Sequence, residues 1–329
     1  MNRVLRPLVL AYQAGSRINN WLFDKGLRKT IRTSLPVISV GNLAFGGSGK
    51  TPLVMHLLSY YLERGFKPAL ITRGYKGKWE NSGGILSDGK NIYGTWQDAG
   101  DEPFMVSRKF PQVGIYVGRD RVLSCERANQ AGFTVLILDD GFQHRKLHRD
   151  LDIVLFDPVE TDRLRESVSS LRRAGVIMVD RAAFSLAVGR LEPKFPDAKI
   201  YSYATINKGF YVYPEEVFVP PDRLEQNRFL AVCGIARPQR FFSSLEKEGI
   251  KPLASLVFPD HHAYPGSSLN KIMKVFKNVN ADAVVTTEKD VFKLGGLTEA
   301  DQIPVWYNRM DIQAEKNFYM ELSSLMKEG

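Results

Sequence analysis

Short apolar runs alternate with stretches of three-to-four-residue apolar spacing along most of this chain. Val37–Val40, Ala69–Thr72, Gly114–Val117, Val135–Leu138, Ile153–Phe156, Val176–Val179 and Lys199–Tyr203 read as strands. Several of them are continuous Val/Ile/Leu runs without polar alternation, as in a sheet covered on both faces. Phe229–Val232, Ala283–Thr286 and Pro304–Tyr307 repeat the signal further on. Helical spacing falls over Thr51–Arg64, Glu102–Lys109, Arg119–Ala131, Leu164–Arg173, Gln239–Glu248 and Ser267–Lys277. Strands and helices in this order predict an α/β fold with a mostly parallel sheet. Residues 205–228 interrupt the order: Gly209–Pro214 reads as a short extended piece and Val219-Pro220-Pro221-Asp222 as a linker. The expected division is an N-terminal segment over 1–33, a core over 34–205, a linker over 206–228 and a second, smaller α/β lobe over 229–329.

The first predicted strand runs into Gly41-Asn42-Leu43-Ala44-Phe45-Gly46-Gly47-Ser48-Gly49-Lys50-Thr51-Pro52, and a predicted helix follows. Strand, glycine-rich loop, Gly-Lys-Thr and helix form the phosphate-binding loop in its proper context. The 46–51 stretch turns successive N–H groups toward phosphate oxygens, and the helix N-terminus adds partial positive charge. Lys50 is placed to reach β- and γ-phosphates, and the Thr51 hydroxyl to hold Mg²⁺. Pro52 falls in the first helical turn, where a missing N–H costs little. Ala44 stands where the strict pattern has glycine, leaving the turn to Gly46 and Gly47.

Val135-Leu136-Ile137-Leu138-Asp139-Asp140-Gly141 is an apolar strand ending in two carboxylates, the Walker B pattern that orders Mg²⁺ beside a phosphate loop. Gln143, His144 and Arg145 follow with donors for phosphate or sugar hydroxyls. Thr72-Arg73-Gly74-Tyr75-Lys76-Gly77 ends the second strand, at the sheet edge where ligands bind in open α/β folds, and Arg73 and Tyr75 suit an anionic or sugar-containing substrate. Gly100-Asp101-Glu102-Pro103 opens a helix, and an Asp there reads as an N-cap. Asp260-His261-His262-Ala263-Tyr264 offers an Asp–His pair for proton transfer rather than a zinc site, since no further ligand stands at zinc-like spacing. Arg163, Arg165, Arg172 and Arg173 gather on or near one predicted helix, where arginine suits the charge of a transferring phosphoryl group.

Composition narrows the setting. A hydrophobic content of 44% in 329 residues belongs to a globular core rather than to a polytopic membrane protein. The two cysteines, Cys125 and Cys233, have neither metal nor redox spacing. Net charge is +9, and residues 1–33 carry seven basic side chains (Arg3, Arg6, Arg17, Lys25, Arg28, Lys29, Arg32) against Asp24 alone. Leu5, Leu8, Val9, Tyr12, Trp21, Leu22 and Phe23 are interspersed among them. The uncharged stretch Pro7–Ser16 is half the roughly 20 residues needed to span a bilayer. An amphipathic helix lying on an anionic membrane surface has this composition.

Together these motifs resemble the tetraacyldisaccharide 4'-kinase family, the lipid A 4'-kinases. The matching segments run in order over nearly the whole chain: VGNLAFGGSGKTP (Val40–Pro52), TRGYKG (Thr72–Gly77), GDEP (Gly100–Pro103), LDDGFQHR (Leu138–Arg145), LRESVSSLRRA (Leu164–Ala174), GIARPQRFF (Gly234–Phe242), FPDHHAY (Phe258–Tyr264) and TTEKD (Thr286–Asp290). Two places depart from the family pattern: Ser167 replaces the proline of Leu-Arg-Glu-Pro, and Gly175 the aspartate of Arg-Ala-Asp. The resemblance implies a P-loop NTPase-like core, a second α/β lobe joined by a short β linker, and an active site in the cleft. It implies ATP- and Mg²⁺-dependent phosphorylation of the 4'-hydroxyl of a tetraacylated glucosamine disaccharide 1-phosphate. It implies peripheral attachment at the cytoplasmic face of the bacterial inner membrane, with no nucleic-acid partner. Under it, Gly46, Gly47, Ser48, Gly49, Lys50, Thr51 and Pro52 bind ATP, and Thr51 with Asp139 or Asp140 holds the metal. Asp101 is the base, oriented by a histidine of the 260–264 motif, with His261 favoured over His262. Arg173 stabilises the γ-phosphate, and Arg73, Tyr75, Gln143 and His144 hold the disaccharide. The rivals are a P-loop GTPase or ATPase switch, which lacks the Asn-Lys-x-Asp guanine motif here, and a soluble small-molecule kinase, which has no use for the basic, aromatic first helix.

Overall fold

A computed structural model describes residues 6–44, 49–159 and 164–326. The chain forms two compact units, Met1–Thr205 with Ile312–Gly329, and Ile206–Asp311.

The first unit contains β1 Val37–Asn42, β2 Pro68–Thr72, β3 Gly84–Asp88, β4 Gly114–Val117, β5 Val135–Asp139, β6 Leu151–Leu155, β7 Val176–Asp180 and the start of β8, Ile200–Tyr213. Their order is β8-β7-β6-β1-β5-β2-β4-β3, and every pair is parallel except β3 with β4. Parallel neighbours require crossovers, and the helices that supply them cover the sheet. β1 sits between β5 and β6 and is buried throughout. Helix α2, Lys50–Leu62, follows the loop after β1 and buries Leu53, Leu57, Leu58 and Tyr61. The register sets Val40 of β1 opposite Asp139 of β5, so the loop and the carboxylates emerge side by side at the C-terminal edge.

Three expectations change. The helix expected over Leu164–Arg173 shrinks to a 3₁₀ helix, Val168–Arg173, while Leu164 bridges to Ala44. Serines compete with helical backbone bonding, and the Ser167 and Ser169 hydroxyls bond each other at 2.6 Å. The piece expected as a linker belongs to the second unit: β8 runs on to Tyr213 and pairs antiparallel with β9, Val217–Val219, burying Phe210 and Val219. The last residues, expected with the second lobe, instead group with the first unit. Their helix Lys316–Ser324 buries Phe318 and Leu322. Tyr61 Oη donates to the Leu322 carbonyl at 3.2 Å, and His56 Nε2 lies 2.8 Å from Tyr319 Oη, both from α2. No local pattern signals contacts between residues more than 250 positions apart. Phe318→Ala leaves a cavity here and is expected to cost about 3–5 kcal/mol of stability. Urea unfolding of the full chain checks this.

In the second unit β10 Phe229–Cys233, β11 Ala254–Val257, β12 Ala283–Thr287 and β13 Val305–Ala314 form the parallel order β11-β10-β12-β13. Leu230, Val232, Ile272, Val284, Leu294 and Val305 centre its core. At the N-terminus, α1 spans Arg6–Asp24.

Candidate active site

The site grows from three adjacent strand ends of the first unit: β1, β5 and β2. β1 ends at Asn42, whose Oδ1 accepts from Lys50 Nζ at 3.2 Å. Lys50 also lies 3.3 Å from Asp140 Oδ1, and its side chain is 13% exposed. Gly49 caps α2 with φ +82, a left-handed conformation that suits glycine. Gly46, Gly47 and Ser48 lie outside the described residues. Gln143 Nε2 donates to the Asn42 carbonyl at 3.0 Å, bracing the strand where it enters the loop. Gly41 permits this approach, because a Cβ there would sit 2.5 Å from Phe142 Cβ.

The two carboxylates after β5 have different surroundings. Thr72 Oγ1 donates to Asp139 Oδ2 at 3.2 Å. Burial, with Glu102 and Asp140 nearby, pushes the Asp139 carboxyl well above the usual carboxylate range, although Lys50 and Arg121 pull the other way. Asp140 is half-buried, and Lys50 and Arg165 outweigh its desolvation and hold it below the usual range; Arg165 Nη1 lies 2.7 Å from Asp140 Oδ2. Buried Arg121 donates to the Asp140 carbonyl at 3.3 Å.

Thr51, directly after Lys50, donates its hydroxyl to Glu102 Oε2 at 2.9 Å. Glu102 and Asp101 open the helix Asp101–Lys109. Gly100, with φ +94, is the N-cap, so Asp101 is the first helical residue rather than the cap. Asp101 is buried, at 6% exposure. Among the described residues no group of three or more His, Cys, Asp or Glu side chains is arranged to hold a metal by itself. Hard-cation sites in phosphate-loop enzymes need less from the protein: a hydroxyl, one or two carboxylates, and oxygens of the nucleotide and water. Thr51, Asp139 and Glu102 fit that set. Asp139 Oδ1 is buried without a hydrogen-bond partner among the described residues. A cation favours the charged form of such a carboxylate.

The expected disaccharide ligands divide. Arg73 and Tyr75 are exposed past the end of β2, Arg73 paired with Glu80 at 2.7 Å. His144 is mostly buried, and its Nε2 has no partner among the described residues. Burial first, then Arg121, Arg149 and Lys146, push its pKa down to about 4, so the ring is neutral at pH 7. Arg173 ends the 3₁₀ helix, its guanidinium 4.5 Å from the Phe142 ring centroid and its Nη2 2.8 Å from Glu166 Oε2.

His261 belongs to the second unit. Its Nε2 lies 3.3 Å from Lys289 Nζ, which also donates to Asp260 Oδ1 at 3.2 Å. Nε2 also lies 3.7 Å from Asp260 Oδ2, so this ring nitrogen faces both the ammonium and the carboxylate. His262 is used differently: it stacks on Phe258 at 4.7 Å and bonds Ser268 Oγ at 2.8 Å. Asp290 of the TTEKD segment is fully buried, accepts from Gly234 N and Thr287 Oγ1 at 2.8 Å each, and pairs with Lys293 at 3.2 Å. It pins a turn and cannot read a base.

The structure thus gathers Lys50, Thr51, Asp139, Asp140 and Gln143 in one place. Sequence reasoning did not select Asn42, Glu102, Arg121 or Lys289, and named Arg165 only among the arginines suited to a transferring phosphoryl group. Only Glu102 carried a usable signal, as an acid beside Asp101 at a helix start.

A parallel sheet whose central strand enters a Gly-Lys-Thr helix beside paired carboxylates defines a nucleotide-binding protein of the phosphate-loop class. The model of the LpxK family, tetraacyldisaccharide-1-P 4'-kinase, matches residues 1–327, and the chain belongs to this family. A tetraacyldisaccharide 4'-kinase of Desulfotalea psychrophila is 36% identical over 319 residues, 92% of this chain and 90% of that protein. One from Syntrophus aciditrophicus is 34% identical over 353 residues, covering 99% and 93%. A crystal structure of LpxK from Aquifex aeolicus in complex with ATP is similar with a TM-score of 0.78 at 30% identity, covering 99% of this chain and 98% of that one.

Proposed function

We propose that this kinase transfers the γ-phosphoryl group of ATP to the 4'-hydroxyl of a tetraacylated glucosamine disaccharide 1-phosphate. The observation that carries the reading is the convergence of Lys50, Thr51, Asp139 and Asp140 at the end of β1, in a chain of the 4'-kinase family. Lys50 and the loop N–H groups of 46–51, beside Pro52, grip the β- and γ-phosphates. Thr51, Asp139 and Glu102 would hold Mg²⁺, with Asp140 anchoring Lys50; when bound, the ion neutralises phosphate charge. Asp101 takes the proton of the attacking hydroxyl. His261 orients that step, its Nε2 set beside Lys289 Nζ, whereas His262 is occupied with Phe258 and Ser268. Arg173 steadies the charge of the moving phosphoryl group. Arg73, Tyr75 and Gln143 hold the disaccharide, and neutral His144 serves its hydroxyls. Transfer of labelled phosphate from ATP to the purified lipid acceptor is the test.

The protein works as a peripheral component on the cytoplasmic face of the inner membrane, without nucleic acid. Residues 1–33 form the membrane-associating segment ahead of the kinase core. No helix among the described residues is long and apolar enough to cross a bilayer. α1 exposes Ile18 and Trp21 at 62% and 53%, and Arg17 lies exposed between these residues and the N-terminus. Apolar side chains next to basic ones suit an anionic surface. Raising salt from about 0.1 to about 1 M shortens the screening length about threefold. Co-sedimentation with anionic vesicles is therefore expected to weaken over that range, and to weaken further when Ile18 and Trp21 are both replaced by alanine. Binding indifferent to salt and to both substitutions contradicts the surface role.

A further inference from the structure

The last turn of α1 reaches two of the motif segments by separate routes. Asn20 Nδ2 donates to Glu166 Oε2 at 2.7 Å, and the same oxygen accepts from Arg173 Nη2 at 2.8 Å. Glu166 is 3% exposed, so this carboxylate depends on its protein partners. Independently, Arg145 Nη1 donates to the Asn20 carbonyl at 2.9 Å and pairs with Asp24 at 2.7 Å. Arg145 ends the segment that contains Phe142, on whose ring Arg173 lies.

Guanidinium recognition of an anion is a matter of aim, because the donors form a rigid fork. Here one edge of Arg173 is held by Glu166 and one face by Phe142. Its Nε is buried with no hydrogen-bond partner among the described residues. An arginine clamped on one side with a donor to spare is preorganised for a group of negative charge. The clamp's other end is Asn20, one residue from the exposed Trp21.

We propose that Glu166 is a positioning residue: it holds Arg173 in its aim and ties that aim to Asn20, so that seating α1 on the lipid surface and orienting the arginine are linked. This rests on the reading of Arg173 as the group that steadies the γ-phosphoryl charge. Glu166→Gln keeps the shape and one acceptor but removes the charge that fixes the guanidinium. Asn20→Ala leaves the Glu166–Arg173 pair whole and cuts only the tie to α1.

The test is steady-state kinetics on the full chain with lipid acceptor in mixed micelles containing anionic lipid, for Glu166→Gln, Asn20→Ala, Arg173→Ala and the double variant Glu166→Gln with Arg173→Ala. Thermal melting of each accompanies it. Glu166→Gln is expected to lower kcat about tenfold with KM for ATP unchanged, and Asn20→Ala to lower kcat by a smaller factor. Because Glu166 acts through Arg173, the double variant is expected to be no slower than Arg173→Ala. Additive losses, or Asn20→Ala at the parent's kcat, overturn the positioning role while leaving Arg173's own role intact. Arg173→Ala at the parent's turnover removes that role and the proposal with it. If Glu166→Gln fails to melt cooperatively, the kcat of Asn20→Ala decides alone: a fall supports the tie, and parental turnover overturns it.

Discussion

Lys50→Ala is expected to abolish phosphoryl transfer and leave the protein folded. Lys50 is the cation that follows the loop, its ammonium 3.2 Å from Asn42 Oδ1 and 3.3 Å from Asp140 Oδ1. A cation aimed where charge is redistributed in phosphoryl transfer is worth roughly 10²–10³ in turnover, as for other preorganised donors. Stability changes little, because Asp140 keeps Arg165 at 2.7 Å and is not left an unpaired buried charge. Single-turnover transfer and a thermal melt on the same preparation check both halves. Turnover within threefold of the parent at saturating ATP contradicts the assignment.

Asp101→Asn is expected to have the next largest effect. The substitution keeps the shape of a residue that is 6% exposed at the head of its helix, and removes only the ability to take a proton. A positioned general base contributes typically about 10²–10⁴ in rate. The loss falls on kcat, with KM for ATP unchanged, since Asp101 has no task in nucleotide binding. His261→Ala is expected to lower kcat as well. If the two residues serve one proton transfer, combining them costs little beyond the worse single change, because groups that act as a unit lose their effect together. Fully additive losses show separate functions. An equal defect in His262→Ala, with the fold intact, moves the orienting role to that neighbour.

What the sequence made legible was local. Val135–Leu138 is an unbroken apolar run, Val37–Val40 is interrupted only by Ser39, and both are fully buried in strands of the parallel sheet. Glycine-rich loop, Gly-Lys-Thr and Asp-Asp each carry their chemistry in adjacent residues, so Lys50, Thr51, Asp139 and Asp140 could be chosen before their distances were known. What escaped depended on residues far apart in the chain. The helix Lys316–Ser324 looks like the end of the second lobe until Phe318 and Leu322 are seen buried with the first unit. The apolar spacing of Leu164–Arg173 suits an α-helix, yet the Leu164–Ala44 bridge holds its start extended and its serines leave the rest, Val168–Arg173, a 3₁₀ helix. Glu166 is a plain acid in a charged motif by sequence. Its meaning comes from sharing one oxygen between Asn20, 146 positions upstream, and Arg173. Lys289 likewise gains significance only through His261, 28 positions earlier in sequence.

The measurement that bears most directly on the function is transfer of label from γ-labelled ATP to purified tetraacylated glucosamine disaccharide 1-phosphate, presented in micelles to the full-length chain. The expected product is a disaccharide lipid labelled at the 4'-position, formed in step with ATP loss. Its formation should be abolished by Lys50→Ala and absent with an acceptor whose 4'-hydroxyl is blocked. Release of free labelled phosphate at the same rate with and without the lipid, with no label in the lipid fraction, contradicts the assignment and makes the chain a nucleotide hydrolase.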